Sequence, residues 1–333
     1  MYRKILTFTV LLYLVAVSFL WILINLAGDR WWFATIIIFS PRWLLSLPLV
    51  LLMPLALWKQ RMLLIPLILV ALVIFGPLMR FNLPLGKQDR QSYPETKALR
   101  VVTCNLDSAD YDTSVLVTII RNLSADVVAL QECPEEIKLT LPAGWQMIKE
   151  RGLAIASRYP LERVASVKIT PPGEEWPGTY LLHAAVHVPG RDIAFCSIHL
   201  PTPRFGLMKV LDRYTVFRPS RRGLLEEETA LRRMIALETH SYISRLKQPV
   251  IVAGDFNTPV DSILYKRIWT DYTNAFSEVG FGYGWTQRAT VRGFTYSARI
   301  DHILSGNGLT PRLSEVGKEI GSDHLPLIAD IAY

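Results

Sequence analysis

Eight polar side chains end or directly follow short apolar runs: Asn105, Glu132, His199, Asp255, Asn257, Asp301, Asp323 and His324. The set is rich in hard oxygen donors and has no cysteine cluster beside it, which suits Mg²⁺, or Mn²⁺, better than zinc. Its two imidazoles add proton transfer or contacts to anionic oxygens. In-line attack on a phosphate ester needs an aligned water and neutralised charge on the phosphoryl and leaving oxygens. These residue types therefore point to metal-assisted hydrolysis of a phosphate ester.

Such a site requires distant residues to meet, and the runs before them indicate how. Leu99 to Cys104 leads to Asn105, Asp126 to Gln131 to Glu132, and Ile193 to Ile198 to His199. Val250 to Ala253 leads through Gly254 to Asp255 and Asn257, RIDHIL holds Asp301 and His302, and GSDHLPLIADI sets Asp323 and His324 before the last run. Their length and β-branched content predict core strands. Strand ends sharing one rim of layered sheets can bring such groups together, with Gly254 permitting a sharp turn there. Taken singly, each residue has a plainer role. Asp255 and Asn257 could form an Asx-turn, and Glu132 could cap a helix before Pro134. His183, His187, His240 and His302 are assigned to structure. Arg158, in GLAIASRYPL, is also structural, and Trp285 and Thr286 could line a groove or pack in the core.

The ordered series VVTCNL, VVALQE, GLAIASRYPL, CSIHL, GDFNTP, RIDHIL and GSDHLPL, spanning Leu99 to Tyr333, resembles the endonuclease/exonuclease/phosphatase superfamily. The resemblance implies an α/β fold, a four-layered sandwich of two mixed sheets with helices outside. It implies that Glu132 is the main carboxylate ligand of Mg²⁺, with Asn105 and Asp323 helping to hold the metal or its waters. Asp255 would orient or deprotonate the attacking water, with Asn257 beside it. His324, positioned by Asp301, would stabilise phosphoryl charge, and His199 would assist near the scissile phosphate or leaving group.

The rest of the chain is unlike one soluble domain: half of its 333 residues are hydrophobic. The formal charge of +7 is uneven, because residues 1 to 95 carry nine Lys/Arg against three Asp/Glu while the remainder is nearly balanced. This basicity reads as membrane orientation and not as a nucleic-acid footprint. Ile5 to Ala27 is an uncharged apolar run of 23 residues, long enough to span. Trp43 to Trp58 and Met62 to Met79 are two more candidate spans around Lys59, Gln60 and Arg61, and Trp31 to Ser40 reads as interfacial. The expected organisation is a membrane region over 1–79, a polar linker over 80–97 and a catalytic domain over 98–333. The positive-inside rule sets Arg3, Lys4, Lys59 and Arg61 in the cytoplasm and the catalytic domain outside it, on a bacterial-type inner or plasma membrane. The alternative, two crossings within 31–58, would reverse that.

Cys104, Cys133 and Cys196 are expected as buried free thiols. Residues 204 to 222 hold six Lys/Arg and one Asp among aromatic and aliphatic residues, which fits a rim for a polyanion, a lipid-headgroup surface or a solvated loop. Glu226 to Leu246 has helical apolar spacing. The combined expectation is a membrane-anchored phosphodiesterase acting on a phospholipid-like or other envelope phosphodiester, with the lipid bilayer as partner and no obligate protein partner. The alternatives are a Mg²⁺-dependent nuclease acting on nucleic acid and a catalytically silent, phosphate-binding scaffold.

Overall fold

The computed structural model describes residues 1–84, 97–107, 114–135, 139–171, 178–211, 219–291 and 294–333. At its start, uninterrupted apolar sequence forms α1 (Tyr2–Ala27), α2 (Trp32–Ile38), α3 (Leu47–Lys59) and α4 (Leu64–Val73), the last running on in a wider turn to Leu78. Three helical segments, Tyr2–Arg30, Arg42–Lys59 and Arg61–Leu78, are long and apolar enough to cross a membrane. Their outer surfaces leave Phe8, Val15, Phe19, Val50, Leu51, Ile65 and Leu72 exposed, while Val10, Val17, Leu67 and Val70 pack inward. A seven-residue α2 reaches only about 10 Å at about 1.5 Å per residue, so the 31–58 region holds one candidate crossing.

The chain then forms β1 (Ala98–Asn105), α5 (Val115–Leu123), β2 (Val127–Gln131), β3 (Gln146–Glu150), β4 (Leu153–Ser157), β5 (Leu161–Ile169), β6 (Gly178–Val188) and β7 (Arg191–His199). Helices α6 (Arg204–Leu211) and α7 (Pro219–Ile243) precede β8 (Val250–Asp255), α8 (Ile263–Ile268), β9 (Thr273–Asn274), β10 (Gln287–Val291), β11 (Phe294–Ala298), β12 (Asp301–Gly306), β13 (Thr310–Val316) and β14 (Leu327–Ala332). One six-stranded sheet runs β13-β14-β1-β2-β4-β3 and the other β5-β6-β7-β8-β12-β9. Strand alternation explains the layering. Val101 and Val127 face Leu182, Phe195, Ile251 and Ile303 between the sheets, whereas Val102 and Val128 point outward to Leu116 and Ile119 of α5. Behind the second sheet, Ile235 and Ile243 of α7 and Leu264 and Ile268 of α8 cover Cys196, Ile198 and Val252. This is the expected four-layered α/β sandwich, and all three cysteines are buried and free.

The helix expected over Glu226 to Leu246 begins earlier, at Pro219, and Leu246 falls in the turn after it, before Pro249 leads into β8. In the basic stretch, residues 212–218 and the side chains of 219–222 lie outside the described residues. So does most of the expected linker, residues 85–96. Its first residues are pinned: Asn82 exchanges backbone hydrogen bonds with Gly282, and its amide donates to the Phe276 and Gly280 carbonyls.

Candidate active site

Pairing register explains why the polar residues meet. The parallel pair β1 and β2 aligns Asn105 with Gln131, immediately before Glu132. In the other sheet, parallel β7 and β8 align His199 with Asp255, and antiparallel β12 sets Asp301 opposite the same Asp255. Glycine is required inside β8, because at Gly254, with φ of 153°, an added Cβ would lie 1.9 Å from the Ile198 carbonyl oxygen. Glu132 and Asn257 both adopt left-handed backbone (φ 48° each), which turns the chain at the rim just after each strand.

The side chains converge on a pocket of about 390 Å³ lined by Asn105, Glu132, His199, Asp255, Asn257, Asp323 and His324. The Asn105 amide donates to Glu132 Oε1 at 3.0 Å and to Asp255 Oδ2 at 3.1 Å, joining the two sheets. Asn257 donates its backbone N–H to Asp255 Oδ1 (2.8 Å) and its amide to Oδ2 (3.1 Å). His199 Nε2 lies 3.6 Å from Glu132 and 3.8 Å from Asp255. His324 Nδ1 is 2.9 Å from Asp301, while its Nε2 lies 3.9 Å from both Asp255 and Asp323. Thus the structure brings all eight expected residues to one place. Asp301 is fully buried behind His324, and Glu132 and Asp323 are partly exposed at the mouth.

The charges are strongly coupled. Burial raises the Asp255 carboxyl, as does the like charge of Asp301, against the opposing pull of His324 and His199. For His324, burial works against the imidazolium, but Asp301, Asp255 and Asp323 overcome it and raise the pKa. Burial also raises Asp323. Four carboxylates around two imidazoles leave the pocket anionic, and its oxygen donors fit a hard divalent cation. Two donor groups overlap. Asp255, Asp301 and His324 offer ligand atoms within 4.8 Å of one another, but the hydrogen bond between His324 and Asp301 already accounts for that closeness. The partly exposed Glu132 and Asp323 carboxylates line the pocket beside Asn105, whose Oδ1 accepts from the Asp107 N–H.

A sequence model of the endonuclease/exonuclease/phosphatase family matches residues 102–324, a range that takes in all eight polar residues of the pocket and stops short of β14. The chain belongs to the endonuclease/exonuclease/phosphatase family. Among solved structures, Danio rerio TDP2 complexed with a single-strand DNA product is 16% identical, with 71% of this chain and 99% of that chain covered and a TM-score of 0.51. An endonuclease/exonuclease/phosphatase family protein of Leptotrichia buccalis is 18% identical, covering 71% and 100% at a TM-score of 0.50. The Neisseria 3′ phosphatase NExo bound to product DNA hairpin is 16% identical, with the same coverage and TM-score. These likenesses are of fold. No curated protein matches the sequence.

Within this family member, several supporting groups were not evident from motifs. Arg232 of α7, 2% exposed, donates to the carbonyls of Pro201 and Asn257 and to Thr258 Oγ1, clamping the chain after β7 to the chain after β8. Its signal was present: Arg232 stands three, four and seven residues before the buried Ile235, Ala236 and Thr239, a charge on an apolar helix stripe. Gln131 links Thr103 to Ser197 across the core, and Ser322 bridges the Asn105 carbonyl to the His324 N–H. Thr286 does not line a groove; its hydroxyl accepts from the Ile300 and Asp301 N–H groups. Trp285 stacks on Tyr283 and packs against the N-terminal helices. Arg158 pairs with Asp126 at 2.9 Å, a structural role. His302 is buried between Thr258 and Asn274, and His183 and His240 pack against Tyr242 and Trp269.

Proposed function

We propose that this phosphoester hydrolase is a membrane-anchored phosphodiesterase acting on a phospholipid-like phosphodiester. The observation that carries the reading is the meeting of Asp255, Asn257, His199, His324, Asn105 and Glu132 in one pocket, delivered by the ends of β1, β2, β7 and β8, the turns after them and the turn before β14. Asp255 takes the proton of the attacking water: it is buried, its carboxyl is raised toward neutrality, and two hydrogen bonds from Asn257 fix its orientation. The water oxygen bonds to phosphorus as the bond to the leaving alcohol breaks. His324, kept protonated by Asp301, neutralises charge on the phosphoryl oxygens, and His199 at the mouth hydrogen-bonds the leaving oxygen. Glu132, with Asn105 and Asp323, would hold Mg²⁺ or Mn²⁺. When bound, such a cation supplies Lewis-acid charge neutralisation at the phosphate.

Two features favour a lipid-like substrate. The three apolar helices carry their own surface suited to a bilayer. Helix α6, beginning at the pocket-lining Arg204, leaves Phe205, Met208 and Leu211 exposed beside the mouth, where apolar chains of a substrate can rest. A nuclease is the second reading, favoured by the cationic Arg204 and Arg232 lining the same pocket and by the DNA named with two of the fold's solved relatives.

The test is a panel of labelled phospholipids, single- and double-stranded DNA and RNA, incubated with the purified full chain and Mg²⁺. Lipid cleavage that disappears in Asp255→Ala is expected. Cleavage of nucleic acid alone would transfer the reading to the nuclease. No turnover of any substrate would leave the silent scaffold.

A further inference from the structure

A second group of cations lies apart from the catalytic pocket. Arg42, Arg80 and Arg299 line a separate cavity of about 190 Å³ that shares no lining residue with the first. Asp261 is its sole lining carboxylate among the described residues, so the cavity carries excess positive charge. Arg42 is committed, donating to the Ile38 and Leu78 carbonyls and to Asp261. Arg80 Nε lies 3.7 Å from the same carboxylate. Arg299 is different: it is only 7% exposed, its Nη2 reaches Ser277 Oγ at 3.3 Å, and its Nε and Nη1 have no acceptor among the described residues. Burial lowers this guanidinium to about 10, with Arg80 adding to the effect, yet it remains charged at neutral pH. A buried guanidinium with two idle donors is costly unless an acceptor completes it.

The setting identifies the acceptor. Arg42 begins one candidate span and Arg80 follows the end of the next, so the cavity sits where those helices leave the apolar layer. Its walls include Trp43 and Trp285, a residue type enriched at headgroup depth. We propose that this cavity binds the phosphate of a membrane phospholipid headgroup, through Arg299 and Arg80. Asp261 Oδ1, also without a donor among the described residues, offers an acceptor for the hydroxyl or ammonium beyond the headgroup phosphate. Such a lipid would brace the seam between the apolar helices and the loop that follows the catalytic strand β8.

The inference rests on the membrane reading and not on hydrolysis, and the experiment keeps them apart. The full chain, in neutral detergent with EDTA, is titrated with dihexanoyl phosphatidylglycerol or with inorganic phosphate, and binding is followed calorimetrically in wild type, His324→Ala, Arg299→Gln and Arg80→Gln. The expected result is saturable lipid binding that survives His324→Ala and weakens at least about tenfold in Arg299→Gln. Arg80→Gln, at a partly exposed position, should weaken it as well and covers the case in which Arg299→Gln misfolds. Inorganic phosphate binding as tightly as the lipid would overturn a lipid site in favour of a free-anion site. Binding that is unchanged in both arginine variants, or lost in His324→Ala alone, would overturn the proposal.

Discussion

Asp255 lies within 3.9 Å of His324 and 3.8 Å of His199 and accepts three hydrogen bonds from Asn105 and Asn257, so its removal strips the pocket of its central carboxylate. Asp255→Ala and His324→Ala should each lower kcat/KM on a soluble chromogenic phosphodiester by about a hundredfold or more, on the order of 3 kcal/mol. Equal activity in folded variants would refute the assigned roles. Asp301→Asn tests positioning. Asp301 helps raise the His324 pKa, so removing its charge lets the imidazole lose its proton at lower pH, and the alkaline limb of the pH–rate profile should move to lower pH. A profile that keeps its shape while falling uniformly would assign Asp301 to packing alone. At this scale the residues that meet in the pocket were legible because acids and imidazoles at the ends of apolar runs are conspicuous. Gln131 and Ser322 were not, since their roles depend on partners brought close only by the packed sheets, and Arg232 showed only as a charge on an apolar helix stripe, its partners unreadable.

Among elements, α8 is held by a residue from the N-terminal apolar segment. Ser262 caps it by accepting from the Tyr265 N–H, and Asp29, between α1 and α2, accepts from both the Ser262 hydroxyl and the Leu264 N–H. A carboxylate at a helix start answers its unpaired donors and its dipole. Asp29→Ala should therefore cost about 1 kcal/mol locally and speed hydrogen exchange at Leu264 and Tyr265. Unaltered protection there would mean the contact contributes nothing. Gly254→Ala should be far more damaging, because the new Cβ would meet the Ile198 carbonyl between two central strands; a soluble variant with wild-type melting would contradict the strand geometry. The core strands and outer helices were readable from period and run length. The length of α2 and the docking of Asn82 were not, because a short apolar stretch has the same composition whether it spans, lies flat or packs on a neighbouring domain.

For the whole molecule, charge bookkeeping changes once the parts are joined. Asp29 and Arg42, counted in the sequence as loop charges between two spans, are bonded to Ser262 and Asp261 of the catalytic part. The proposed placement of that part outside the cytoplasm thus rests mainly on Arg3, Lys4, Lys59 and Arg61 at the opposite end, and protease added to spheroplasts should digest the carboxy-terminal portion. Full protection would reverse the orientation. Global stability should also fall in acid through His302. Burial lowers its pKa from 6.5 to about 3, so below 6.5 the unfolded chain binds a proton that the folded chain refuses. Stability is then lost as pH falls from 6.5 toward 3, at up to about 1.4 kcal/mol per unit, and His302→Gln should flatten that slope in denaturation measured against pH. An unchanged slope would exclude His302 as its source. The sequence by itself determined the order of strands, the apolar helices and which polar residues stand at the strand ends, because these follow from local period and side-chain chemistry. Only the tertiary structure decided that β8 stands between β7 and β12, that Asp255 thereby faces residues from both neighbours, and that Arg299 lines one cavity with Arg42 and Arg80. Those are distances between groups far apart in the chain, and packing alone sets them.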